Sequence, residues 1–177
     1  MQTFTNTLNF IAAIGTLSIG AVGLVALIAH AFNRKVAHPI LDPVSKHLEW
    51  IGFGIALSGA IVSLLYSGYI GYPPCQLCWW QRLAIYPQVL LYAVALITRD
   101  RSVFRYTLVL SLVGLVISLY HNYIDWGGGA LFVCDAAVSC TQRFVAEFGF
   151  VTIPLMSLLG LLGLTVTAWI GLERQGK

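Results

Sequence analysis

The chain has 177 residues, 58% of them hydrophobic and only 10% charged, against about 25% charged in an average soluble domain. Such a chain is built to be solvated by lipid. Its formal net charge of +3 is spread over short loops between apolar runs, which excludes the basic face of a nucleic-acid-binding protein. Taken in order, residues 8–32 form a first apolar run, long enough at 1.5 Å per residue to cross a hydrocarbon core of roughly 30 Å. Residues 1–33 contain no Lys or Arg. A secretory signal peptide needs a basic n-region, so this run is expected to be a retained span. The segment 33–49 carries Arg34, Lys35, His38, Asp42, Lys46, His47 and Glu49 and reads as a polar loop.

A second span covers 50–70, with Gly54, Ser58 and Ala60 among the small residues that permit close helix approach. Pro73 and Pro74 end it, because consecutive prolines remove two backbone donors and disfavour helix in the residue before each. A third span starts just after them, at Cys75, and runs to Thr98, with a bend expected at Pro87. Arg99, Asp100, Arg101 and Arg105 mark a tight polar turn. The fourth span runs from 104 to 124 with His121 near its end, and a loop over 125–147 holds Gly127-Gly128-Gly129, Cys134 and Cys140. A fifth span covers 148–171. Ahead of it, Phe144, Val145 and Phe148 alternate with Gln142, Arg143 and Glu147. That pattern suits either a short helix lying in the membrane interface or the first turns of the fifth span.

Of the ten Lys and Arg residues, three lie in 33–49, three in 99–105 and two after 171. With five spans these segments share one side, leaving Arg82 and Arg143 on the other. The positive-inside rule then puts the eight in the cytoplasm and both cysteine pairs outside.

The stretch Pro73-Pro74-Cys75-Gln76-Leu77-Cys78-Trp79-Trp80-Gln81-Arg82 carries the chemistry. Cysteines three apart at a helix start share one face, and Arg82 lies one turn beyond Cys78 on it. A helix N-terminus and a nearby cation both favour the thiolate, which is the reactive species. Two dithiols on the same side of one bundle can exchange disulfides through mixed intermediates. The electrons need an acceptor, and the sequence has no haem attachment motif, Gly-rich dinucleotide fingerprint or iron–sulfur spacing. A lipid-soluble quinone is the acceptor that a membrane supplies. Trp79, Trp80 and Tyr86 offer flat apolar surface near Cys78, and Arg82 and His121 offer donors for carbonyl oxygens. In the second pair, Asp135 beside Cys134 disfavours a thiolate there, while Arg143, three residues after Cys140, favours one.

The pattern Pro-Cys-x-Leu-Cys-Trp-x-Gln-Arg-x-x-x-Tyr-Pro at 74–87, a His near the end of the next span, a second cysteine pair, and Phe-Gly-Phe-x-Thr-Ile-Pro at 148–154 resemble the bacterial disulfide bond formation proteins B and C. The resemblance covers 50–171, and the short spacing of Cys134 and Cys140 is closer to the C-type branch. It implies a four-helix quinone reductase in the bacterial cytoplasmic membrane that reoxidises a thioredoxin-like, DsbA-like dithiol oxidase outside the cytoplasm. By position, Cys78 would be the sulfur next to the quinone (ubiquinone or menaquinone) and Cys75 its disulfide partner. Arg82, His121 and Trp79 would contact the quinone, and Cys134 and Cys140 would face the oxidase; no metal is implied.

The domain organisation expected is an extra N-terminal transmembrane helix with a cytoplasmic loop at 1–49, an all-α four-helix membrane domain at 50–171 and a cytoplasmic tail at 172–177. The extra helix lies outside the four-helix pattern, so its role is open. Two rival readings of the four cysteines are a Zn²⁺ or soft-metal site and a scaffold with two static disulfides. Arg82 beside the thiolates would compete with a bound cation.

Overall fold

The computed structural model describes residues 2–32, 47–129 and 138–175. Among these the helices are α1 (Gln2–Phe32), α2 (Leu48–Leu64) continued by a π-helical turn (Leu65–Tyr69), α3 (Gln76–Thr98), α4 (Val103–Asp125) and α5 (Ile153–Gln175). All five, α2 with its π turn, are long and apolar enough to cross a membrane. A helix of 23 residues, the length of α3, α4 and α5, spans about 34 Å. The protein is thus an all-helical, multi-pass membrane protein.

With lipid in place of water, outward apolar residues such as Leu90, Ile97 and Val116 remain exposed. Helix association then rests on close packing and on polar groups satisfied between helices. The core gathers Tyr92, Phe104, Leu161 and Leu164 around Ala56, Ala84, Ala95 and Ala168. Small residues set the approach distances: a Cβ at Gly114 would lie 2.8 Å from Ala84 Cβ and from Leu161 Cδ2, so only glycine lets α4 sit this close to α3 and α5. Polar threads cross the same core. Ser111 donates to Gln88 Oε1 at 3.1 Å, Tyr92 to Thr107 Oγ1 at 3.2 Å, and Asn122 Nδ2 to the Pro154 carbonyl at 2.9 Å.

The helix ends follow local chemistry. Cys75, in extended conformation after the two prolines, is the N-cap of α3. At the opposite end of the bundle, Arg99 closes α3 in the left-handed conformation, and Asp100 takes the Ser102 backbone N–H at 2.8 Å and its hydroxyl at 2.6 Å. Arg101 pairs with Glu49 at 3.4 Å, tying this turn to the start of α2. α3 runs through Pro87 as one helix.

The structure revises some boundaries. α1 begins at Gln2 rather than residue 8, and its polar first turns are satisfied internally, as where Thr7 donates to the Thr3 carbonyl at 2.9 Å. α5 begins at Ile153, not 148. Proline is best accommodated in the first helical turn, and Pro154 is the second residue of α5. The segment before it is neither an interfacial helix nor the beginning of α5. It is a reverse turn closed by reciprocal bonds between Glu147 and Val151, with Phe148 and Gly149 both at positive φ.

α1, whose role the sequence left open, is packed along α5. A Cβ at Gly20 would fall 2.6 Å from Leu159 Cδ2. Ala12 and Ala13 are buried in a cluster with Tyr66, Val145, Val151 and Met156.

Candidate active site

At the end of the bundle where α3 starts, the Cys75 side chain accepts the Cys78 backbone N–H at 3.3 Å. A sulfur here fills the role of an N-cap oxygen and sits at the positive end of the helix dipole. The two sulfurs are free and 2.8 Å apart. Cys75 is only 5% exposed. Its thiol is held well below the ordinary range, first by the hydrogen bond from the Cys78 thiol and then by His121, with burial opposing both.

His121, near the end of α4, is 1% exposed. Its Nδ1 accepts from the Gln81 side-chain amide at 3.3 Å. That leaves the proton on Nε2, which donates to the Cys140 carbonyl at 3.1 Å and lies 3.8 Å from Cys75 Sγ. One imidazole edge therefore touches the backbone of one cysteine pair and a sulfur of the other. Cys140 is disulfide-bonded and buried with Cys75 and Ile124 in one cluster, against which Leu77, Cys78, Tyr120 and Val138 pack. Cys134 lies outside the described residues.

Arg82 reaches across to α2, where its Nε donates to Ser63 Oγ at 2.9 Å and its terminal nitrogen to the Ser63 carbonyl at 3.1 Å. The guanidinium stands over the Trp79 ring at 5.0 Å. Tyr86 donates to the same Ser63 hydroxyl at 3.3 Å. The cation is thus anchored on three sides.

Between these groups lies a cavity of about 320 Å³, within the range of small-molecule and cofactor sites. Cys75, Cys78, Arg82, Tyr86 and His121 line one side of it, and most of the remaining wall is apolar. Trp79 is not among the lining residues; it is half exposed and carries Arg82 on its ring. Among the described residues, two buried polar atoms of the lining have no partner, the Tyr66 hydroxyl and Ser157 Oγ. Cys75, Cys78 and His121 bring their donor atoms within 4.8 Å of one another, a set a soft ion could use. A four-thiolate site is a different matter, since the Cys140 sulfur is committed to a disulfide.

The structure draws in residues to which sequence reasoning gave no role and shows Arg143 paired with one of them. Gln81, 4% exposed, sets the His121 tautomer; its position three residues after Cys78 was the available signal. Ser63 anchors Arg82 from another helix, and nothing in the sequence marks it. Arg143 donates to Asp125 Oδ1 at 2.9 Å and to the Asp125 carbonyl, while Thr152 donates to Asp125 Oδ2 at 3.2 Å. Arg143 therefore clamps the segment after Cys140 to the end of α4. Its charge answers the buried Asp125 carboxylate rather than supporting a Cys140 thiolate, as its spacing had suggested.

Residues 45–172 match the family model described as disulfide bond formation protein DsbB. The chain is 35% identical to a probable disulfide formation protein C 2 of Bacillus anthracis over 135 residues, covering 76% of this chain and 96% of that protein. It is 38% identical to a probable disulfide formation protein of Oceanobacillus iheyensis over 136 residues, or 73% and 90% of the two chains. It is also 36% identical to the SPbeta prophage-derived disulfide bond formation protein B of Bacillus subtilis over 106 residues, or 59% and 72%. No solved structure matches the chain.

Proposed function

The chain belongs to the disulfide bond formation protein DsbB family, whose members are membrane thiol-disulfide oxidoreductases, and from that premise we propose its substrates: a thioredoxin-like dithiol oxidase on the extracytoplasmic side of the bacterial cytoplasmic membrane, and a membrane quinone, ubiquinone or menaquinone. The observation that carries this reading is the contact of a free Cys75–Cys78 pair with an apolar cavity on one side and with disulfide-bonded Cys140 on the other. The cavity residues suit a quinone. The walls are apolar, Arg82 brings a cation and the Tyr66 hydroxyl lacks a partner; a flat ring bearing carbonyl oxygens answers all three. Arg82 and Tyr66 would hold it near Cys78.

In this reading Cys134 is the disulfide partner of Cys140. A thiolate of the reduced oxidase attacks Cys134 and expels Cys140, which attacks Cys75 of an oxidised Cys75–Cys78 pair and releases Cys78 as a thiolate. The second oxidase thiol displaces Cys134 and leaves the oxidase as a disulfide. Cys134 then attacks Cys140 in the Cys140–Cys75 mixed disulfide, restoring its own pair and freeing Cys75. The net result is an oxidised oxidase and a Cys75–Cys78 dithiol beside an intact Cys140 disulfide, which is the redox state described here. His121 donates from Nε2 toward the Cys75 thiolate as it is released, and its bond to the Cys140 carbonyl holds the two pairs together. A quinone supplies a sink for the two electrons and two protons that closing the Cys75–Cys78 disulfide releases.

Acid-quenched, alkylated protein analysed by mass tests the reading. Adding a quinone to the reduced protein should convert Cys75 and Cys78 to a disulfide, and adding a reduced thioredoxin-like oxidase should return them to thiols. Thiols unmoved by any quinone, or blocked until a chelator is added, would replace this reading with a static or metal-bound site.

A further inference from the structure

α1 lies outside the residues matched by the family model, 45–172. The Bacillus anthracis relative is covered over 96% of its length by 76% of this chain, which leaves no room in it for a counterpart of a 31-residue helix. Yet α1 supplies a side of the cavity. Leu8, Ala12, Gly15 and Ile19 recur at i, i+4, i+7 and i+11, one face of the helix, and all four line it. Ile55, Gly59, Val62 and Tyr66 of α2 and its π turn also line it.

Two contacts pin the end of α1 nearest the dithiol. Phe4 meets Tyr69 edge-on at 5.3 Å and Phe10 meets Phe148 at 5.9 Å. Farther along, Gly20 and Gly23 press against Leu159 and Gly163 of α5. Gly15 lies between these two fixed regions, and a Cβ there would meet nothing within 4 Å. The glycine is not needed for close helix packing; it leaves space.

A second observation points to a ligand in that space. Tyr66 is 5% exposed, and its hydroxyl has no hydrogen-bond partner. The π turn that carries it widens the helix, as Ile70 N donates to Leu65 O and Tyr72 N to Tyr66 O. The Tyr66 ring is held by Tyr72, which stacks in turn on Phe144, at 5.9 and 4.8 Å between centroids. A rigidly held donor with no acceptor, lining a largely apolar cavity, fits a ligand oxygen.

We propose that α1 is a specificity wall of the quinone chamber: Gly15 makes room for the ring or its substituents, and Tyr66 donates to one of the carbonyl oxygens. On this arrangement a helix outside the residues matched by the family model walls the cavity. The proposal rests on quinone being the acceptor.

The test uses the full-length protein in detergent or nanodiscs with an azido-ubiquinone probe and, separately, decylubiquinone and menadione binding read by quenching of tryptophan fluorescence. Photolabel should appear on the peptide holding Leu8–Ile19 as well as on the Cys75–Tyr86 peptide. Gly15→Phe should weaken decylubiquinone binding by about tenfold or more, since overfilling a packed site is costly, while Gly15→Ala should weaken it less. Tyr66→Phe should weaken it by roughly five- to tenfold, the usual effect of one lost hydrogen bond. Val25→Phe, on an exposed turn outside the cavity, should bind as the unmodified protein does. Photolabel confined to residues after 47, or unaltered binding by Gly15→Phe, would overturn the wall while leaving quinone as the acceptor. Absence of labelling and quenching in the unmodified protein would overturn both.

Discussion

At the scale of single residues, the sulfur that the structure prepares as a thiolate is Cys75. It receives the Cys78 backbone N–H, the Cys78 thiol and the approach of His121 Nε2. A thiol whose pKa is pulled from the usual value of about 8.5 down to about 4 is ionised at neutral pH, and its alkylation slows only as pH falls through the lowered value. Losing a donor raises the pKa and moves that fall to higher pH. The midpoint of Cys75 alkylation in the reduced protein, followed on its own peptide, should therefore rise in His121→Leu and rise further in Cys78→Ala, since the Cys78 bond is the larger cause. A midpoint indifferent to both substitutions would mean that the helix terminus alone sets the reactivity.

Arg82 invites a kinetic test at the same scale. If it donates to a quinone oxygen, Arg82→Met should raise the quinone KM, at a cost of about 1.5–3 kcal/mol for a hydrogen bond to a charged group. Lysine should restore only part, because a point charge cannot hold Ser63 Oγ, the Ser63 carbonyl and the Trp79 face together. Unchanged quinone kinetics in folded Arg82→Met would reduce Arg82 to a strut between α3 and α2.

At the scale of elements, the segment carrying Cys140 is held to α4 by His121 on the Cys140 carbonyl and by the Asp125–Arg143 pair. The Asp125 side chain is almost fully buried while that of Arg143 is half exposed, so the value of the pair lies in satisfying the carboxylate. Arg143→Met would strand it with only Thr152 as a side-chain donor. A loss of about 2–3 kcal/mol is expected, below the range for a fully buried pair because solvent reaches the guanidinium. Asp125→Asn combined with Arg143→Met should cost less than Arg143→Met alone, because the stranded charge is gone. Thermal unfolding of the two variants in detergent checks the order, and a double variant no better than the single would show that the carboxylate is not what destabilises it.

At the scale of the whole molecule, five crossings put the end of α1, the start of α2, the 99–102 turn and the C-terminal end of α5 on one side and the dithiol on the other. In sequence, eight of the ten basic residues adjoin those ends, and the orientation this leads one to expect is open to direct measurement. In a background with the native cysteines replaced, Lys46→Cys and Ser102→Cys should resist an impermeant thiol reagent in intact cells, and Gly129→Cys should react. Gly129 is preferred to Gly128, where a side chain would run into the Tyr123 ring. Labelling of the first two with protection of the third would invert the protein in the membrane.

Composition and local pattern alone determined the class, the span count, the helix start at the two prolines, and the dithiol at that start. These are properties of neighbouring residues or of summed hydropathy, so no tertiary contact is needed to read them. The partners of the site residues were different. Ser63 for Arg82, Asp125 for Arg143 and the Cys140 carbonyl for His121 lie 18 or more residues away in sequence. Likewise the sequence left the role of α1 open, and only the tertiary structure sets its residues along the cavity. In water, an apolar stripe tells which face of a helix is buried; in lipid, core-facing and outward residues are equally apolar. The pattern in α1 could therefore show that it crosses the membrane but not what it faces, and packing against α5 decided that Gly15 would open onto the cavity beside Cys78.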